Sequence, residues 1–470
     1  MLNRGHRFLY MFRLGALFLI LAGGSLTGLK AQVDTDFWFV VPELSHRGNT
    51  GGTPGRLRIA TLELEATVSI TMPANPYHAT LNPTGFQEII VDIPANSASA
   101  VDLSHLLDDA ANPNRNLLEN KPLTPDGIND FGLHITSTNV INVYWEVNYE
   151  YGSDLWTLKG GNGMGTLFYT PFQTVYPNRN LTPRTYSAID IVATADNTQV
   201  TITLPAGKAA SYGSNVTSIL AGGTHVITLN QGQTFSLYPR NYSILGADRL
   251  AGTRIESTLP ISVCIKDDAL NTGSQGQPVT GDQLVPVDII GDNYIVPDIK
   301  NPNHIYVVAT ENNSNIYVTD SDGLPIGPTP YTTLNRGEQG LIVVPNGSKY
   351  ARITSRVNPG DPVKPFYVYQ HALSNQTRGG ALVPAIGCTG NTQLAFTRAR
   401  QGENIFYFFL ITEKGNEDKF LIDGNSEPTI IDPGAFTEIQ YFFKPVHRVS
   451  LIFILAPFTP FPNMCPYGLS

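Results

Sequence analysis

Cysteine is nearly absent: Cys264, Cys388 and Cys465 are the three in 470 positions. An odd number leaves at least one thiol unpaired within a monomer. No CxxC pair and no Cys/His cluster with zinc spacing occurs, so the chain is neither a disulfide scaffold nor a zinc module, and packing has to hold it. Cys264, inside the apolar run Ile261-Ser262-Val263-Cys264-Ile265, reads as a buried, inert thiol. Charge is scarce too. Asp, Glu, Lys and Arg make up 15% of the chain, against about a quarter in most soluble domains. The net charge is -9 with no Lys/Arg-rich stripe, which excludes the electrostatic footprint of a nucleic-acid binder. Polarity comes instead from Asn, Thr, Ser, Gln and Tyr.

The motifs of common catalytic machinery are missing as well. There is no HExxH, no GxSxG and no GxxxxGK[ST]. The histidines (His46, His78, His105, His134, His225, His304, His371 and His447 beyond the N-terminal His6) are scattered. Gly160 to Gly165 is glycine-rich, but no helix pattern follows it, so it reads as a loop. The acidic residues Asp267, Asp268, Asp282, Asp288 and Asp292 are spaced too loosely for a calcium cage or a glycosidase pair; Asp126 to Asp130 is similar. They read as turn caps or solvated loop. No catalytic, cofactor-binding or metal-ligating residue is assigned, no cofactor is expected, and an enzyme is not expected.

One continuous apolar stretch at the N-terminus carries a targeting signal. Arg4, His6, Arg7 and Arg13 precede apolar Leu14 to Ala22, and Leu29-Lys30-Ala31-Gln32 follows. This is the layout of a secretory signal peptide over residues 1–31, cleaved between Ala31 and Gln32. The core is short for a bilayer span of about 20 residues, which disfavours the rival reading of an uncleaved anchor. A secreted or outer-surface protein with no transmembrane segment after cleavage is therefore expected.

What remains is rich in turns and alternation. Gly 43 and Pro 34 imply many turns and few long helices. Val68 to Met72, Val200 to Leu204 and Ile316 to Val318 alternate with period two, as half-buried strands do. Ala100 to Ala110 is the one helix candidate. Val192-Ala193-Thr194-Ala195-Asp196-Asn197 recurs as Val308-Ala309-Thr310-Glu311-Asn312-Asn313, with a weaker copy at Ile59-Ala60-Thr61. Arg254-Ile255-Glu256-Ser257 recurs as Arg352-Ile353-Thr354-Ser355, and Ile135-Thr136-Ser137-Thr138 as Ile255 to Thr258. Leu284-Val285-Pro286 recurs as Leu382-Val383-Pro384. The order of these elements predicts β units over 34–182, 183–302 and 303–400, and a degenerate fourth over 401–470 with apolar runs at Ile405 to Ile411 and Val449 to Leu455. Units of this size suit tandem β-sandwiches; a propeller or other closed β array is the alternative. Boundaries without Gly/Ser linkers predict packed neighbours.

Three stretches resemble the N-terminal domain family of the IgG Fc-binding protein, found in animal mucus proteins and in Bacteroidota cell-surface proteins. They are Thr35-Asp36-Phe37-Trp38-Phe39, then Val192 to Pro205, then Gly281 to Pro286 with Gly291 to Pro297. The likeness would span about 34 to 400. For bacterial members it implies an exported adhesion or binding domain; immunoglobulin binding itself belongs to an animal member. The expected function is a cell-surface or matrix binding protein with an extracellular protein or glycan partner. A structural spacer is the alternative, and a carbohydrate-active enzyme comes third. Two stretches are candidates for contact. In Tyr144 to Tyr151, alternation puts Trp145, Val147, Tyr149 and Tyr151 on a core face and Tyr144, Glu146, Asn148 and Glu150 opposite. The polar loop 266 to 281 is the second, and removal of 270 to 280 is expected to weaken adhesion at unchanged melting temperature.

Overall fold

The computed structural model describes residues 33–44, 55–107, 116–149, 152–182, 184–273, 276–297, 303–345, 350–358, 360–374, 377–386 and 395, and the backbone of four strands beyond 406. The expected signal peptide, Cys388 and Cys465 lie outside them.

The chain is all-β and builds the same arrangement three times. The first copy comprises β1 (Asp34–Pro42), β2 (Arg56–Thr61), β3 (Ala66–Thr71), β4 (Ile89–Ile93), β5 (Ala98–Asp102), β6 (Gly132–Tyr149) and β7 (Gly152–Thr157). β6 is the spine. Its first half lies between β1 and β3, and its second half between β2 and β7. With β4 beside β3 and β5 beside β2, two four-stranded sheets, β4-β3-β6-β1 and β5-β2-β6-β7, share one strand. The second copy comprises β8 (Met164–Tyr169), β9 (Ser187–Ala193), β10 (Thr198–Thr203), β11 (Thr224–Leu229), β12 (Thr234–Pro239), β13 (Arg254–Asp267) and β14 (Thr280–Gln283). Its sheets are β11-β10-β13-β8 and β12-β9-β13-β14. The third comprises β15 (Asn293–Pro297), β16 (Asn303–Ala309), β17 (Ser314–Thr319), β18 (Thr332–Leu334), β19 (Gln339–Val344), β20 (Tyr350–Thr354), β21 (Phe366–Ser374) and β22 (Thr377–Leu382). Here the spine is broken into β20 and β21, and the sheets β18-β17-β20-β15 and β19-β16-β21-β22 are separate.

The register makes the repeat quantitative. Ile135 lies between Phe37 and Ile70, Ile255 between Phe168 and Ile202, and Ile353 between Tyr294 and Val318. All nine side chains are buried. β3 and β10 alternate buried with exposed or half-buried residues, the pattern of a strand with one face on a core. The recurring turn after Val192 and Val308 has a conformational cause. Asn197 and Asn313 take φ of 56° and 55°, a left-handed geometry that Asn tolerates better than most residues. Their N–H groups donate to the side-chain oxygens of Asn230 and Asn335.

Several expectations shift. Met164–Tyr169 pairs with β13, and Asn293–Pro297 with β20. Each opens the copy that follows it, so the boundaries drawn at 182 and 302 fall one strand late. Leu284 N–H donates to Val263 O and Val383 N–H to Val368 O. Leu284 thus matches Val383, and the two Leu-Val-Pro triplets are one residue out of step. Ile59-Ala60-Thr61 is likewise displaced by one, because Thr61 faces Ile141 as Ala193 faces Ile261. The helix expected from Ala100 is instead the end of β5 and a short 3-10 turn, Ser104–Leu106. Beyond residue 406, β23 (Tyr407–Glu413) lies between β25 (Thr437–Tyr441) and a parallel β26 (Leu451–Leu455), with β24 (Ile430–Pro433) outside β25.

The copies stack directionally. The outer face of each second sheet, polar in part, is covered by the copy before it. Gln283, on β14, donates through Nε2 to Trp38 O at 2.8 Å and to Ser262 Oγ at 2.7 Å, while Lys266 Nζ donates to Glu43 O at 2.6 Å. At the next seam Tyr367 Oη donates to Val285 O at 2.7 Å, and Phe172 exchanges two hydrogen bonds with the Gln339 amide. The same glycine pair recurs at both seams. Gly132 N–H donates to Gly232 O, and Gly252 lies against Gly337. The corresponding face of the first copy meets Ala395, which accepts from Tyr144 Oη and donates to Asn142 Oδ1.

Candidate binding surface

The candidate acids do not converge. Asp267 is buried against Arg249 at 2.9 Å and also accepts from Gln173 Nε2 and Asn178 Nδ2. Asp282 takes Lys159 Nζ at 2.7 Å and the Leu382 N–H; burial pushes its pKa up. Asp292 pairs with Arg356. Asp268 is buried and Asp288 exposed. Buried Asp154 accepts Trp156 Nε1 at 2.9 Å, and burial holds its pKa well above the carboxylate range. Asp267, Asp282 and Asp292 tie separate segments of the chain together. Among the described residues no three His, Cys, Asp or Glu side chains are grouped to hold a metal ion. Cys264 is buried, and desolvation raises its thiol pKa.

The two stretches singled out for contact are largely internal. Trp145 is core, packed on Phe39 and Gly55, but Tyr144 and Glu146 on the other face are also buried. In the loop 266 to 281, Ala269, Leu270, Val279 and Thr280 are buried. Main-chain hydrogen bonds tie Leu270 to Pro278, Asn271 to Pro177 and Arg179 to Ala269. Asn271 and Gly273 are its exposed positions among those described. Removing 270 to 280 would take out core side chains and the first residue of β14, so unchanged melting is no longer expected.

A different set of loops stands out. In each copy the third and fourth strands are joined by a segment of different length and construction: 72–88, 204–223 and 320–331. Each presents one strongly exposed leucine, Leu81 at 83%, Leu220 at 68% and Leu324 at 61%. These leucines sit in ordered turns. In the first, Tyr77 and Phe86 pair, His78 and Asn82 exchange main-chain bonds, and His78 Nδ1 accepts the Leu81 N–H at 3.0 Å. Asn82 Nδ2 reaches Asn75 Oδ1 and Pro76 O, and buried Phe86 anchors the base. A Cβ at Gly85 would lie 2.6 Å from Pro76 O, so the close crossing needs glycine. Tyr77 is half exposed nearby. In the second copy the segment forms a hairpin, Ala210–Tyr212 with Thr217–Ile219, docked along β12. Leu220 follows it and accepts from Gly223 N–H. In the third, Asp320 Oδ1 holds the N–H of Asp322 and of Leu324 at 2.9 and 2.8 Å. The sequence signal for these sites is a lone leucine inside a polar, turn-forming stretch.

Among the described residues no helix is long and apolar enough to cross a membrane. No curated protein matches the chain. The family match runs over residues 156–457, more than half of the chain. It begins after the opening Thr35 to Phe39 and reaches past residue 400, the limit expected from the repeated elements. By this match the chain belongs to the IgGFc binding protein family.

Proposed function

We propose that this is an exported, non-catalytic binding protein of a bacterial cell surface or matrix, and that it grips an extracellular protein or glycan through the turns carrying Leu81, Leu220 and Leu324. Single exposed apolar residues are ordinary on protein surfaces. The observation that carries the reading is recurrence: three loops with unrelated sequences and construction, each joining the third and fourth strands of its copy, hold a leucine outward. A rigid sandwich with variable loops is a common way to display recognition groups. Family membership supports a protein partner. Burying one leucine supplies about 1.5–3 kcal/mol, so each loop binds weakly alone and the three act by multivalency.

The test uses the mature chain on arrays of extracellular proteins, immunoglobulin Fc included, and of glycans. Leu81→Asp, Leu220→Asp and Leu324→Asp are then compared singly and together on whatever partner is found. Each change is expected to weaken binding about tenfold, the effect of roughly 1.4 kcal/mol, with melting temperature unchanged. Undiminished binding by the triple variant refutes the assignment of these loops. A wild-type chain that binds nothing on the arrays favours the spacer reading.

A further inference from the structure

The register aligns three positions on the outer face of each second sheet. They are Arg56, Arg58 and Glu146 in the first copy, Ala188, Asp190 and Lys266 in the second, and His304, Tyr306 and His371 in the third. In the first copy Arg58 Nε meets Glu146 Oε2 at 2.7 Å. In the second the signs are exchanged: Lys266 lowers the pKa of Asp190 against the effect of burial. Each of these faces carries an opposite-charge pair.

The third face does not. His304 and His371 are cross-strand partners, and Arg378, on the neighbouring β22, joins them. All three are buried. They surround Tyr176 of the preceding copy. The Arg378 guanidinium lies 4.0 Å over its ring and donates through Nη2 to its Oη at 2.7 Å; the two imidazoles are each 5.9 Å from its centroid. Among the described residues, Arg378 Nε and Nη1, both ring nitrogens of His371, and His304 Nδ1 meet no partner. Asp267, bound in the same seam, is taken up by Arg249, Gln173 and Asn178. A buried cation without a counter-charge is strongly unfavourable, and so are buried N–H groups without acceptors.

We propose that the seam between the second and third copies binds a small oxyanion of the sulfate or phosphate class on Arg378, with His371 and His304 as further donors. An oxyanion supplies the negative charge that the third face lacks relative to the other two, and its several oxygens can accept from the unmet N–H groups. Burial lowers the pKa of both histidines, so each gives one neutral N–H and Arg378 provides the charge. The ligand is small because Arg378, His371 and His304 are all buried, which restricts it to an inorganic ion rather than a partner macromolecule.

The mature chain is dialysed into chloride and titrated with sodium sulfate, sodium phosphate and sodium acetate at matched ionic strength, read by calorimetry and thermal melting. A saturable response to sulfate or phosphate is expected, with the acetate arm weaker. Sulfate also stabilises proteins by general exclusion, so saturation and its dependence on the site are the criteria. Arg378→Met should weaken oxyanion binding at least a hundredfold. His371→Phe, which keeps a ring in place, should weaken it several-fold and serves if the arginine variant does not fold. Wild-type protein that shows no saturable response, or variants that keep it unchanged, would overturn the proposal.

Discussion

Replacing Gly252 by alanine tests the seam between the second and third copies. Two costs add at this position. Gly252 has φ of +82°, where an L-residue costs about 1 kcal/mol or somewhat more. A Cβ there would also lie 1.9 Å from the carbonyl oxygen of Gly337. Both neighbours are main chain, so no rotamer relieves the overlap, and the copies must part locally. Overpacking of this kind costs about 1–3 kcal/mol, which gives about 2–4 kcal/mol in all. Two glycines separate the contributions. Gly273 has φ of +80° with nothing within 4 Å of the added carbon, and at Gly207 that carbon also meets nothing while no left-handed φ applies. Gly273→Ala should cost about 1 kcal/mol; Gly207→Ala should be neutral or stabilise by a few tenths through the unfolded chain. The assay is urea unfolding, read as transition midpoints because stacked copies need not unfold in a single step. If Gly252→Ala unfolds at the same midpoint as Gly273→Ala, the close approach across the seam is not part of the fold's stability.

Arg249→Met strands the buried carboxylate of Asp267 and should destabilise by about 3–5 kcal/mol, measured as a fall in midpoint that Arg240→Met, at an exposed position, does not share. Burial raises the Asp190 pKa to about 6. Between the ordinary aspartate value and 6 the folded state therefore binds more protons than the unfolded one. This group's contribution is full at low pH and is lost as pH rises through about 6. Wild type should lose stability relative to Asp190→Asn across that window, by about 3 kcal/mol at most; parallel profiles would refute it. Export predicts a mature N-terminus at Gln32, and mass spectrometry that finds Met1 retained in cytosolic protein would reject it.

The repeat was legible where sequence and backbone constraint coincide. Val192 and Val308 lead into turns that need Asn at a left-handed position, so the pattern survives in both copies. Arg254 and Arg352 begin equivalent segments because Ile255 and Ile353 sit at the centres of equivalent sheets. The opening strand of each copy was harder to place. Phe168 finds its partner in Ile255, far along the chain, and short strands with distant partners carry little local signal. The Leu-Val-Pro triplets misled because composition matches one residue away from the hydrogen-bond register. Asp267 and Asp282 looked like loop acids because their cations, Arg249 and Lys159, come from other segments. The outward leucines went unread because exposure is decided by how a loop is braced, as the Asp320 carboxylate braces Leu324.

The broken spine of the third copy has a mechanical consequence. β6 and β13 each run through both sheets of their copy, so pulling those sheets apart means shearing main-chain hydrogen bonds on both sides of one continuous strand. In the third copy no strand runs through both sheets; turns, packed side chains and a few hydrogen bonds such as Phe366 N–H to Gly291 O and Ile386 N–H to Asn293 O hold them together. Tension transmitted along the chain would reach its yield point there first. A chain built this way carries its more extensible element between two stiff copies and whatever follows residue 386.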